Sequence, residues 1–206
     1  MNATEWIINI HALAKSKGWW DTERPVGELF ALVHSEASEA LEALRSPEMD
    51  AGCDKCEGGS LDFGTLSCRK CGGTGDALGG SRFLEELADV QIRVMDIAGR
   101  YGVDLSDRMG PQRRMVDDLW KRTPPSNLAD AINSLHDVIG GAALSVRLLL
   151  RRQTSESSYH GSAAFARVLA HVDRIASEYG CDDLEPIIAA KHAFNRTRPV
   201  RHGKVF

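Results

Sequence analysis

Apolar residues recur along most of the chain at the spacing of an amphipathic helix. Between residues 26 and 45, Leu29, Val33, Ala37 and Ala40 return every three or four positions and so share one helix face. The same period predicts helices at residues 3–17, 26–45, 82–101, 127–152, 162–180 and 185–195. Strand-type alternation is nearly absent. The pattern therefore predicts an all-α protein, most simply a helix bundle.

The stretches between these helices show no clear helical period. Residues 103–125 have a mixed pattern in which Trp120 is the main apolar anchor, and residues 153–161 are polar enough to predict a loop. Ser126 is expected to cap the helix that follows it, because a serine oxygen accepts hydrogen bonds from the first helical turn. Residues 195–206 are basic and predict an irregular end.

A faint internal repeat links the two halves of the chain. Residues 88–104 recur as 166–182, and residues 34–45 are weakly echoed by 136–147. This predicts either a duplicated helix set with a degenerate second copy within 127–190, or a chance match between similar helix cores. Where the first copy has acidic residues, the second has Val138, Gly141 and Arg167.

Composition and charge narrow the class of protein. The 206 residues include 25 Lys+Arg and 29 Asp+Glu, giving a net charge of −4, whereas general nucleic-acid and membrane binders carry a basic excess. No apolar run approaches the roughly 18 residues that cross a bilayer, and the first residues do not resemble a signal peptide. We therefore expect one cytoplasmic domain, 1–206, with no membrane partner and no nucleic-acid partner.

A cysteine- and glycine-rich block at 51–80 interrupts the helical pattern. It contains Cys53-x-x-Cys56 and Cys68-x-x-Cys71, two pairs whose thiolates can complete a tetrahedral zinc shell. The block resembles the cysteine-rich repeat of J-domain chaperones. Four sulfur ligands leave no open position for a substrate, so the predicted Zn²⁺ is structural. The alternative is a redox-active or metal-free insert.

Two acidic pairs stand on neighbouring predicted helices. Glu36 and Glu39 are three residues apart, as are Glu86 and Asp89, so each pair shares one helix face. Converging carboxylates repel one another unless a cation lies between them, and oxygen ligands suit Mg²⁺ or Mn²⁺. The alternative is a solvated acidic face that forms ion pairs along each helix.

These acidic pairs lie in sequences that resemble a known family. Together with two further blocks, they are similar to the MazG-like branch of the all-α nucleoside triphosphate pyrophosphohydrolases, a branch common in bacteriophages. The similarity is carried by residues 17–21, 33–45, 83–90 and 191–204. The chain departs from the family pattern at Ser35, where many members have a further Glu, and in the additional segments 51–80 and 106–180.

The resemblance implies a hydrolase that converts a nucleoside triphosphate, preferably a deoxynucleoside triphosphate, to the monophosphate and pyrophosphate. Catalysis and Mg²⁺ or Mn²⁺ binding would fall to the four acids, with one carboxylate of the first pair as general base. The residues are Glu36, Glu39, Glu86 and Asp89. The family acts as oligomers, which implies a homodimer or larger assembly, in the host cytoplasm if a phage encodes the protein.

The basic end of the chain is the counterpart of the acidic pairs. Lys191 and Asn195 share a helix face, and Arg and Lys donors suit phosphate oxygens. By family resemblance the substrate would be bound by Lys191, Asn195 and Arg198, with the tail residues Arg201 and Lys204 closing over the site. Trp19 and Trp20 are candidates to stack on the base. The alternatives are a solvated tail or a weak nucleic-acid contact for the basic residues, and core packing for each tryptophan.

Two other functions compete with catalysis. One is a zinc-knuckle adaptor whose helix bundle binds a protein partner. The other is a nucleic-acid-binding protein that uses the knuckle and the basic tail, although the net charge of −4 counts against it.

Overall fold

The computed structural model describes residues 2–45, 82–152 and 155–203. These residues form seven α-helices and no strand, so the predicted all-α class is confirmed. The helices are α1 (Ala3–Ser16), α2 (Val26–Arg45), α3 (Arg82–Arg100), α4 (Met109–Arg122), α5 (Leu128–Arg152), α6 (Ser155–Glu178) and α7 (Glu185–Thr197), followed by a 3₁₀ turn at Val200–Gly203. The cysteine block 51–80 lies outside the described residues. None of the described helices is long and apolar enough to span a membrane.

Two helical regions differ from the sequence prediction. The mixed segment 103–125 contains α4, which buries only Val116 and Trp120 and therefore shows no sustained apolar period. The polar stretch 153–161 was predicted as a loop, but α6 begins at Ser155. Its first turns carry few apolar residues, so the periodicity that marks a buried helix face is missing there.

The start of α5 also differs from the prediction. Asn127, not Ser126, caps the helix: its Oδ1 accepts a hydrogen bond from the Asp130 backbone N–H at 2.9 Å. Asp130 reaches back and accepts from the Ser126 N–H at 2.8 Å. The first bond satisfies a backbone donor of the first helical turn, and the second fixes the residue before the cap.

Four helices form the core of the bundle, and the others lie on its outside. Helix α2 packs against α3 and α5, and α6 packs against α5 and α3. Helix α1 lies on α3, α4 lies on α6, and α7 adds a further layer on α3. The first three helices therefore have the same neighbour relations as the next three, an arrangement that a duplicated helix set would produce. Duplication itself stays a prediction.

Helices α3 and α6 end in the same way, at equivalent positions of the predicted repeat. Gly102 and Gly180 adopt φ angles of +62° and +92°, which glycine tolerates best. In each helix the residue after the glycine donates its N–H to a carbonyl five residues earlier at 2.9 Å, from Val103 to Ala98 and from Cys181 to Ala176. Gly102 and Gly180 therefore end α3 and α6.

Helix α1 approaches α3 closely at Gly99. A β-carbon added there would lie 2.5 Å from His11 Cβ and 2.7 Å from His11 Cγ. Neither atom is at the flexible end of the side chain, so α1 itself would have to move. The missing side chain therefore sets how near α1 lies to α3.

Gly99→Ala is expected to destabilise the protein by about 1–3 kcal/mol, because the added methyl overpacks the α1–α3 contact. Gly140→Ala is the matched control: Gly140 is exposed within α5, and its β-carbon would meet nothing within 4 Å. That change should stabilise the protein by up to about 1 kcal/mol through helix propensity. Urea unfolding of both variants gives the comparison, and equal effects would contradict a close contact at Gly99.

Candidate active site

A cavity of about 370 Å³ is lined by residues of α1, α2, α3 and α7. All four predicted acids line it, and so do three of the predicted basic and polar residues of the C-terminal region. These residues are Glu36, Glu39, Glu86, Asp89, Lys191, Asn195 and Arg198. Residues separated by up to about 160 positions in the sequence therefore share one site.

Three of the acids converge closely. One carboxylate oxygen from each of Glu36, Glu86 and Asp89 lies within 4.8 Å of the other two. Glu36 is buried, whereas Glu39 is exposed at the edge of the cavity and accepts a hydrogen bond from Ser35 Oγ at 3.2 Å. An oxygen-only cluster of this size fits a hard divalent cation such as Mg²⁺. Glu39 is placed to complete it or to act beside it.

Burial and mutual repulsion alter the acid–base behaviour of the cluster. Burial raises the pKa of Glu86 to about 7, with Asp89, Glu36 and Glu39 adding repulsion and Lys191 opposing it. Burial also raises the pKa of Glu36, against the attraction of Arg93. Near neutral pH, Glu86 would therefore have to lose its proton before it could serve as a metal ligand.

Basic side chains hold both ends of the acidic cluster. Arg93 Nε donates to Glu36 Oε1, and Lys191 Nζ lies 2.7 Å from Asp89 Oδ2 and 3.7 Å from Glu85 Oε2. Burial acts to lower the pKa of Lys191, but the surrounding carboxylates outweigh it and raise the pKa. Glu85, the residue before Glu86 on α3, is only about one-fifth exposed and belongs to this charge network.

Arg93 is a site residue that the sequence analysis missed. It stands one helical turn after Asp89, on the same face of α3, and that spacing is the signal that identifies it. Charged residues at such spacing are common on solvated helices, so the signal acquires meaning only once α2 is known to pack alongside.

Two predicted substrate-binding residues lie elsewhere. Arg201 is absent from the cavity lining: its backbone N–H donates to Lys17 O at 2.8 Å, and its Nε donates to Gly18 O at 3.2 Å. Lys17 Nζ in turn donates to the carbonyls of Arg196 and Arg198 at 2.7 and 2.6 Å. Arg201 therefore fastens the end of the chain to the α1–α2 connection. Lys204 lies outside the described residues.

Trp20 is the second predicted substrate-binding residue that lies elsewhere. It does not line the cavity; its indole Nε1 donates to Asp96 Oδ1 at 2.9 Å, and Arg100 stacks over its ring. Trp19, the other tryptophan predicted to stack on the base, lines the cavity. Trp20 therefore contributes to the site through Asp96, a lining residue that the sequence analysis did not single out.

Comparison with protein-family models, curated proteins and solved structures gave no match to this chain. The resemblance to MazG-like pyrophosphohydrolases therefore stays a prediction that rests on the residues quoted for it.

The predicted zinc ligands cannot be placed beside this site. Cys53, Cys56, Cys68 and Cys71 all lie outside the described residues. Among the residues that are described, the Glu36, Glu86 and Asp89 cluster is the one group of three or more His, Cys, Asp or Glu side chains close enough to share a metal ion.

Proposed function

We propose that the protein is a Mg²⁺-dependent nucleoside triphosphate pyrophosphohydrolase, with a bundle of the all-α type found in that family. The supporting observation is that acids from α2 and α3 meet within 4.8 Å on the wall of a cavity that also carries Lys191, Asn195 and Arg198. Oxygen ligands for a divalent cation and donors for phosphate oxygens are the two requirements of triphosphate hydrolysis.

The metal would be held by Glu36, Glu86 and Asp89, with Glu39 as a further candidate. When bound, Mg²⁺ neutralises phosphate charge and lowers the pKa of a water molecule. Mn²⁺ satisfies the same ligands.

The basic side chains of the cavity would be available to bind phosphate once a metal ion is held by the acids. Lys191 Nζ lies 2.7 Å from Asp89 Oδ2. With Asp89 held as a metal ligand, Lys191 would be free to donate to a phosphate oxygen. Asn195 and Arg198 line the same cavity and would add further donors. Glu39, the most exposed acid of the four, is available to orient or deprotonate a water molecule.

The finer features of the resemblance belong to the same proposal. They are a deoxynucleoside triphosphate as the preferred substrate, a homodimer or larger assembly, an internally duplicated helix set and a structural zinc knuckle within 51–80. The second copy of the repeat has no acidic residues at the equivalent positions, which are Val138, Gly141 and Arg167. This agrees with a second copy that has lost the metal site.

Purified protein incubated with each ribo- and deoxynucleoside triphosphate and Mg²⁺ is expected to release monophosphate and pyrophosphate. Glu39→Gln should reduce this turnover by more than about a hundredfold, since a metal-site or general-base carboxylate is lost. Zinc content should stay unchanged. The measurement is a chromatographic assay that distinguishes nucleoside monophosphate and pyrophosphate from inorganic phosphate.

Glu42→Gln is the matched control for that variant. Glu42 is one turn further along α2, is about two-thirds exposed and pairs only with Arg45 among the described contacts. It should retain wild-type turnover. If the folded wild-type protein hydrolyses no nucleotide, the proposed enzymatic function is wrong. The adaptor and nucleic-acid-binding functions would then be the alternatives.

A further inference from the structure

Asp96 occupies the end of the cavity away from the acidic cluster. It lies on α3 two helical turns beyond Asp89, so the two side chains share a helix face roughly 10 Å apart along the axis. Both line the same cavity. If phosphates bind at Asp89, a nucleoside that extends along α3 brings its base to Asp96.

The carboxylate of Asp96 is held in place from the protein side. His11 Nδ1 lies 2.7 Å from its Oδ1, and Trp20 Nε1 donates to Oδ1 at 2.9 Å and more weakly to Oδ2 at 3.2 Å. The close approach of α1 at Gly99, one turn further on, brings His11 to this position. A pre-oriented carboxylate is what selective recognition of a small ligand requires.

Acceptor capacity remains on Asp96 after these contacts. An ionised carboxylate accepts about four hydrogen bonds, and the two donors act mainly on Oδ1. The side chain is about one-fifth exposed, and it lines the cavity. A carboxylate donates nothing when ionised, so its partner in the cavity must be a donor.

The neighbouring wall suits a flat base more than a sugar or a phosphate. Ile10, Leu13 and Ala14 from α1 and Ile92 from α3 line the cavity with Trp19. Apolar and aromatic groups pack against base faces. A negative charge at this end also repels phosphate, which orients the substrate with its triphosphate toward Lys191.

We propose that Asp96 reads the base and selects a nucleotide whose base carries an exocyclic amino group, as cytosine and adenine do. The inference rests on the proposed function for the orientation of the substrate. The amino group of cytosine is a donor, whereas uracil and thymine present a carbonyl oxygen at the same position. The carboxylate of Asp96 and that carbonyl oxygen are both acceptors, so no hydrogen bond would form between them.

The deciding experiment compares kcat/KM for dCTP and dUTP, which differ at this group, and for dATP and dITP as the purine pair. In the wild-type protein the amino-bearing member of the better-used pair should be favoured by at least about tenfold, because sites that hydrogen-bond a substrate group reject analogues lacking it. Asp96→Asn supplies an amide donor and should bring the ratio close to one or reverse it.

Controls keep this result separate from folding and from the proposed function. Asp118→Asn, an exposed change on α4, should leave the wild-type ratio intact. If no nucleotide is hydrolysed, the binding of dCMP and dUMP, measured by tryptophan fluorescence, still tests the base preference. The proposed pyrophosphohydrolase activity can therefore be wrong while the base preference is still tested. Equal use or equal binding of both bases by the wild-type protein would overturn the inference, as would a preference set by the sugar hydroxyls instead of the base.

Discussion

Glu86→Gln is expected to lower nucleotide turnover by more than about a hundredfold, since even residues that only support a metal ligand contribute 10–100-fold. The same change should make the metal-free protein more stable above neutral pH. A substitution that harms activity while improving stability marks a side chain kept for function, because a structural ion pair would move both quantities downward.

The stability effect follows from the raised pKa of Glu86. Burial raises that pKa from 4.5 to about 7 in the folded protein, so the proton is bound more tightly than in the unfolded chain. The associated stability is fully present below about pH 4.5 and is lost as the pH rises through about 7. The shift corresponds to about 1–2 kcal/mol once solvent screening of this partly buried group is allowed for.

Denaturation in a metal chelator at about pH 5 and about pH 8 provides the measurement, since these values lie on either side of the folded pKa. Wild-type protein should lose stability between the two conditions, and Glu86→Gln should lose less. Glu42→Gln, whose carboxylate is exposed, should behave as wild type. A Glu86→Gln protein that is weaker at both values would instead assign Glu86 a structural role through Arg82, 3.5 Å away, and Lys191.

Lys191→Gln is expected to cost the metal-free protein about 1–3 kcal/mol and to raise KM for the nucleotide. Removing one partner of a buried ion pair leaves an uncompensated charge, at a cost of about 3–5 kcal/mol when burial is complete. Lys191 and Asp89 are each about one-fifth exposed, which reduces that figure. Added Mg²⁺ should narrow the stability gap, because a divalent cation replaces the missing charge.

Thermal unfolding with chelator and with Mg²⁺ separates the two contributions. Lys121→Gln is the control: Lys121 is three-quarters exposed and pairs with Asp118 at 3.5 Å, so its loss should change stability by less than about 0.5 kcal/mol. A loss of stability in Lys191→Gln that Mg²⁺ leaves unchanged would mean that the acids around Lys191 do not bind the cation.

Helices with a broad buried face could be predicted from the sequence, and those with a narrow one could not. Helix α2 buries residues along its whole length, including Leu29, Val33 and Ala40, and its predicted bounds are confirmed. Helix α4 buries only Val116 and Trp120. Two buried positions do not make a period, so α4 became visible only when its packing against α6 was known.

The residues of the candidate site also differ in whether the sequence could predict them. Glu36, Glu39, Glu86 and Asp89 could be selected because each acidic pair shares a face next to apolar positions. Asp96 lies on the same stripe of α3 but has no acidic partner three residues away, so nothing local distinguished it from a solvated aspartate. Its importance depends on His11 and Trp20, which only the tertiary structure brings to it.

Contacts between distant segments were beyond any local pattern. Lys17 meets Arg196 and Arg198 across about 180 residues of sequence, and Arg201 meets Gly18 over a similar span. Arg201 was predicted to bind phosphate because its side chain suits that ligand. Residue type alone could not show that Arg201 instead bonds to the backbone of Lys17 and Gly18.

The placement of Lys191 on the last helix has a consequence for synthesis on the ribosome. Helices α2 and α3 leave the exit tunnel with their carboxylates long before α7 has been translated, so the acids must spend part of that time without the lysine that later neutralises them. Arg82 and Arg93, which lie on α3 itself and pair with Glu86 and Glu36, are the basic residues available during this interval. We therefore expect the α2–α3 pair to reach its full stability only after α7 has been translated and has brought Lys191 to Asp89.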